Sequence, residues 1–350
     1  MPHSLTLLYA TLIIWFSGGM IVGKLLGERT TKSISRYLEK GLHWVGVPLL
    51  IISALHDQPL NLGLLISPMM AWCAIGLSLI FALIWIEYGI NQERIKSQVT
   101  GVHYISNLDD KTILRAEREA QGKSVKFSLT AWSKASQGSI FATMMVGNTS
   151  YLGLIIVLSL AGASHIGGAV LYDLLGSTLG CYGLGIVLAR RFRNFKLRKH
   201  LPKHIGLGFL RHPFVWALVL GLVLSAWNFP PVMTRILGMT TAPVAALCLA
   251  VIGLQLSQLS EIPKLPQALV GIGIKMLATP LVIGTLLTLL GITGPLRLAV
   301  VLQCAMPPSL IHLSLVHEYR LDEELTNTFF VTGYLLVLVT LPVWVRLFGG

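Results

Sequence analysis

The sequence predicts an all-α integral membrane protein of ten transmembrane helices, arranged as two inverted five-helix repeats in which helices 4 and 9 are broken and cross. Three observations carry this expectation. Of 350 residues, 54% are hydrophobic and only 12% are charged, with a mean hydropathy of +0.72; a soluble domain carries about 25% charged residues. The apolar residues fall in long runs, and a helix needs roughly 20 of them to span a bilayer. The basic residues lie between the runs and concentrate on one side of the alternation, as the positive-inside rule requires.

The ten runs cover 5–27, 41–56, 61–88, 137–162, 164–189, 208–227, 238–258, 264–291, 297–319 and 325–347. The opening stretch MPHSLTLLYA has no basic n-region, and the first run reaches Leu26 without a small-residue cleavage site. It therefore reads as a permanent helix and not a signal peptide. With the N-terminus outside, the cytoplasmic sections are Lys24 to Lys40, 89–136, 190–211, 259–264 and the turn at Arg320. They hold 23 of the 27 Lys and Arg residues, and the outer sections hold only Arg235, Arg297 and Arg346. The split supports an even number of spans, with both termini expected outside an inner (plasma) membrane. It also accounts for the net charge of +12 without invoking nucleic acid.

Cys73, Cys181, Cys248 and Cys304 sit inside apolar runs without CxxC spacing and read as buried small hydrophobes. No GxSxG, HExxH or Walker A sequence occurs, which argues against an enzyme and against ATP-driven transport within this chain. No cofactor and no metal are expected. The expected partners are a small organic anion and membrane lipid, with a homodimer as one assembly compatible with the chain.

The loop RRFRNFKLRKHLPKH (190–204) contains no acid and falls midway. It divides the chain into a first repeat, 1–189, a basic cytoplasmic linker, 190–207, and a second repeat, 208–350. Five helices per half force the halves into opposite orientation, an architecture common among secondary transporters. Pro48 and Pro243, in the second and seventh runs, and Pro68 and Pro280, in the third and eighth, match in register. The cytoplasmic insertion 89–136 contains LDDKTILRAEREAQ (108–121), which opens on Asp109 and Asp110 and carries Lys111, Arg115 and Arg118 later, as a helix dipole prefers. A short cytoplasmic helix and a solvated linker are both consistent with it.

The fourth run reads MMVGNTSYLGL, with Gly147 and Gly153 bracketing Asn148, Thr149 and Ser150 near mid-span. Each glycine weakens a helix by ~1 kcal/mol, and polar groups at bilayer depth need protein or a water-filled cavity around them. A helix break is expected here; a small-residue packing face is the alternative. The ninth run reads QCAMPPSLIHLS. Pro307 and Pro308 remove two backbone donors, so a second break is expected, flanked by Gln303, Ser309 and His312. Interrupted segments in corresponding positions of two repeats point to a transporter site. New half-helices would begin near Thr149 and Ser309, and their free N–H groups and positive dipole ends would converge at the midplane. Such a site favours an anion, most simply a carboxylate. The expected substrate-binding residues are therefore Asn148, Thr149, Ser150, Gln303, Pro307, Pro308 and Ser309.

Asp173 and Lys275 lie deep in spans, where ionisable residues are costly and face the bundle interior. Asp173 is read as a carrier of a coupling proton, and Lys275 as a charge that neutralises the substrate or pairs with an acid. A structural salt bridge or snorkelling is the alternative for both. His43, His165, His312 and His317 show no metal spacing.

GNTSYLGL and LQCAMPPSLIHLSLVHEYRLDEELTNTFFVTGYLLVLVTLPVWVRL (302–347) resemble signatures of the auxin efflux carrier family, as do AVIGLQLSQ (250–258) and KMLATP (275–280). The resemblance implies the five-plus-five inverted fold shared with bile acid:sodium symporters, with the fourth and ninth helices crossing at the substrate site. It also implies transport of an organic anion such as auxin or a dicarboxylate, with Asn148 as the crossover asparagine and Pro307 as the crossover proline. Ile155 stands where the family has proline. The long polar loop joins helices 3 and 4, whereas in plant auxin exporters the large loop joins the halves. Two rival functions remain at this point: a sodium-coupled symporter of the same fold, and a membrane receptor or scaffold signalling through 89–136.

Overall fold

The computed structural model describes residues 2–56, 62–100, 103–105, 127–129, 132–192, 206, 208–225, 230–259 and 262–349. Among the described residues, seven helices are long and apolar enough to cross a membrane: Leu5–Leu26, Glu28–Leu55, Gly63–Lys96, Ala163–Phe192, Val232–Leu256, Leu265–Leu289 and Glu323–Phe348. Three shorter apolar helices, Thr149–Leu160, Pro213–Ser225 and Gly294–Cys304, lie between them. The chain is a multi-pass membrane protein.

The regular helices, in order, are α1 (Pro2–Leu26), α2 (Glu28–Gly41), α3 (Val47–His56), α4 (Ile66–Thr100), α5 (Lys134–Met145), α6 (Leu154–Leu160), α7 (Ile166–Leu171), α8 (Ile186–Phe192), α9 (Pro213–Ser225), α10 (Pro231–Leu256), α11 (Leu265–Gly273), α12 (Thr279–Leu289), α13 (Gly294–Cys304), α14 (Ile311–Glu318) and α15 (Glu323–Phe348). Two three-residue strands, His103–Ile105 and Phe127–Leu129, pair in parallel within the insertion; the sequence reading did not anticipate them. The helix expected at 108–121 and most of the basic linker at 190–207 lie outside the described residues.

Several spans contain π-helical turns, at Leu42–Gly46, Thr149–Gly153, Tyr172–Thr178, Cys181–Gly185 and Ile274–Ala278. Such turns insert one residue into the ladder and mark functional sites more often than ordinary helix does. The second span departs from expectation. The section Lys24 to Lys40 reads as a loop, yet Glu28–Gly41 is helical and continues through the π-helical turn into α3. Its amphipathic face keeps it ordered: Thr31 and Ser35 are buried and Lys32 bonds Glu28 over 2.6 Å at i,i+4.

One hydrophobic cluster runs through most spans, from Leu12 and Ile51 to Phe329 and Leu341. Large apolar side chains such as Leu25, Leu83 and Val339 are exposed, an arrangement suited to hydrocarbon and not to water. Cys181, Cys248 and Cys304 are buried as expected, but Cys73 is exposed, because it lies on the outward face of α4.

Candidate functional site

Both expected breaks are present, and they meet. Helix α5 ends at Met145, and the backbone is extended at Val146 (φ −130, ψ 150). Gly147 forms an antiparallel bridge with Pro308, and the N–H of Asn148 donates to the carbonyl of Pro307 at 2.7 Å. The π-helical turn Thr149–Gly153 then leads into α6. On the facing segment α13 stops at Cys304 and α14 begins at Ile311. Pro307 and Pro308 have no N–H to continue the α13 ladder. The second half-helix thus begins two residues beyond Ser309, the start expected from sequence.

Close packing explains both glycines. A Cβ on Gly147 would stand 2.7 Å from the carbonyl oxygen of Met306, and one on Gly153 would stand 2.0 Å from Gln303 Oε1. Break and packing face, posed as alternatives by the sequence, are one feature. Gln303 is fully buried and its Nε2 donates to Ala169 O at 3.2 Å, so it ties the crossover to α7.

The Asn148 amide joins the two breaks. Its oxygen caps the following helix by accepting from Tyr151 N at 3.1 Å, and its nitrogen donates to Tyr334 Oη at 2.6 Å. Tyr334 in turn donates to Pro308 O at 3.4 Å. Tyr334 was not singled out from the sequence; its only signal was a phenol in an otherwise apolar stretch of the last span.

Asp173 and Lys275 do not pair. Asp173, 1% exposed, accepts from Thr149 Oγ1 at 2.5 Å, and Ser150 Oγ lies 2.8 Å from each of its carboxyl oxygens. Lys275, 2% exposed, donates from Nζ to Cys304 O at 3.3 Å. It therefore satisfies a carbonyl at the C-terminus of α13, where backbone acceptors lack helical partners and a cation suits the dipole. The salt bridge offered as an alternative is absent among the described residues.

A cavity of about 520 Å³ lies against the crossover. Gly147, Asn148, Thr149, Ser150, Asp173 and Ser309 line it; Gly153, Gln303, Lys275, Pro307 and Pro308 do not. The first group forms part of its wall. The rim comes from Arg36, Glu39, Lys40 and His43 and from Tyr182, His212 and Phe214. The His43 and His212 rings lie 4.7 Å apart, and His212 is 5.7 Å from Tyr182. The sequence reading passed over this rim, although Arg36, Glu39, Lys40 and His43 follow the i, i+3, i+4, i+7 spacing of one helix face. The cavity therefore reaches the basic section that contains Arg36 and Lys40.

A helical bundle with two interrupted spans bridged beside a polar cavity has the build of a membrane carrier. The chain matches the family model described as "Membrane transport protein" over residues 124–345, and it belongs to that family, the auxin efflux carrier family that its motifs resemble. The members are transporters and not enzymes. The chain is also similar to an uncharacterized transporter of Methanothermobacter thermautotrophicus, with 26% identity over 211 residues, or 59% of this chain. The match spans 66% of that relative's length.

Proposed function

We propose that the protein is a secondary transporter that carries a small organic anion, most simply a carboxylate, across the inner (plasma) membrane by alternating access. The observation that carries this reading is the bridge between Gly147 and Pro308 beside the cavity. It holds two half-helix starts at one polar site, where N–H groups and dipoles favour negative charge. The basic rim draws anions towards it.

The packing supports ten spans in two inverted repeats. α1 packs on α10 and α9 on α3, which are the same contact once each half is exchanged for the other. The pairs α4 with α5 and α12 with α13 behave likewise, as do α4 with the turn Tyr172–Thr178 and α11 with α15. The antiparallel bridge agrees with opposite orientation of the halves. Cytoplasmic placement of the basic sections puts both termini outside and makes the cavity inward-facing. Asp173, in the cavity wall, is the group we assign to coupling by protonation.

The test is a binding screen of the purified protein in lipid nanodiscs against small carboxylates at several pH values, followed by uptake into proteoliposomes. Saturable carboxylate binding that Ser309→Ala weakens supports the reading. Binding of amines or neutral solutes alone would overturn it, and a requirement for sodium would favour the symporter of the same fold.

A further inference from the structure

The sequence leads one to expect two positive helix ends converging on an anion, most simply a carboxylate. The structure makes them unequal. At the first, the hydroxyls of Thr149 and Ser150 both engage the Asp173 carboxyl, so the polar groups opening the half-helix Thr149–Leu160 are already occupied by the chain's own acid. At the second, Ser309 lines the same cavity, is only half-buried, and makes no hydrogen bond from its hydroxyl to any described residue. No described Lys, Arg or His forms an ion pair with Asp173.

We propose that Asp173 is a specificity-determining residue that restricts the cargo to a single carboxylate, seated at the Ser309 end. The inference deepens the proposed function and rests on its carboxylate reading. Two physical effects act together. The ionised carboxyl of Asp173 takes the hydrogen-bond donors that a second cargo carboxylate would use, whereas the amide of Asp173→Asn can donate to one. The ionised carboxyl also repels a second carboxylate through a buried environment that screens charge poorly. Rejection of this kind, by an unfavourable contact in the wrong complex, is a common source of specificity. The rest of the cavity suits the remainder of such a cargo: Trp44, Tyr182, Phe214, Leu310 and Ile311 offer apolar surface along the wall. A monocarboxylate with an apolar body fits these features, and a dicarboxylate does not.

The experiment uses matched acids of equal chain length on the full chain in nanodiscs, with calorimetry as the readout: hexanoate against hexanedioate, and butanoate against butanedioate. The wild-type protein should bind each monoacid at least about tenfold more tightly than its diacid, the scale of one like-charge contact at short range. Asp173→Asn should shrink that ratio at least severalfold by raising diacid affinity. A wild-type protein that binds diacids as tightly as monoacids overturns the inference while leaving the carrier reading in place, as does an unchanged ratio in a folded Asp173→Asn protein. If none of the four acids, nor any other carboxylate of the wider screen, binds the wild-type protein, the carboxylate reading itself fails. Should Asp173→Asn not yield a monodisperse protein with a cooperative melt, the wild-type ratio decides alone.

Discussion

The backbone N–H of Asn148 donates to the carbonyl of Pro307 across 2.7 Å, so the break in one span satisfies the break in the other. Inside a bilayer an unpaired backbone group costs several kcal/mol, and non-helical backbone survives only where protein or a water-filled cavity meets it. The two interruptions are therefore a joint feature: neither would be stable facing lipid. The same pairing aligns Asn148, Thr149 and Ser309 on one cavity wall.

The tightness of this crossing predicts unequal effects of two glycine substitutions. In Gly147→Ala the new Cβ meets backbone and Cβ of Met306 at 2.7–2.8 Å, and that backbone cannot yield. Overpacking of this kind costs about 1–3 kcal/mol. In Gly153→Ala the nearest atom is the end of the Gln303 side chain, which can shift more readily than backbone, so the loss should be smaller. Thermal unfolding of the purified variants measures both. Equal losses would contradict the packing account.

Asn148→Ala should lower stability and cargo affinity together, because one amide caps the half-helix and binds Tyr334. The expected cost is about 1–3 kcal/mol, that of leaving buried polar groups unpaired. Tyr334→Phe removes one of these bonds and should cost less. The double substitution should be less damaging than the sum of the singles, since both remove the same bond. Full additivity in melting temperature would mean that the two side chains act separately.

The proposed orientation makes a labelling prediction. In a background lacking Cys73, Cys181, Cys248 and Cys304, Ser164→Cys should react with a membrane-impermeant maleimide added to intact cells. Ala120→Cys should react only after the membrane is opened. Labelling of residue 120 from outside would reverse the topology.

Asp173→Asn should flatten the pH dependence of transport while changing monocarboxylate affinity less. The dependence that remains belongs to other titratable groups lining the cavity, among them Glu39, His43 and His212, and replacing these three in turn should account for most of it. An unchanged pH profile in an active Asp173→Asn carrier would make Asp173 structural and leave coupling to those groups.

Much of this protein was written in one dimension. Hydropathy, the prolines at 307 and 308 and the glycine-bracketed cluster at 147–153 are local properties, so the membrane class, the two interruptions and the basic end followed from the sequence by itself. Helix ends were less legible: the polar stretch from Glu28 to Gly41 is ordered only because its Thr31 and Ser35 face is buried by other spans. What tertiary structure alone decided is which polar groups meet. Asp173 and Thr149 are 24 residues apart, Lys275 and Cys304 are 29 apart, and Asn148 and Tyr334 are 186 apart. The depth of a residue along its span can be counted from sequence, but the direction its side chain faces depends on how each helix is rotated against its neighbours. That rotation is set by packing of the whole bundle, and it turned two equivalent-looking helix ends into one filled by Asp173 and one left open at Ser309.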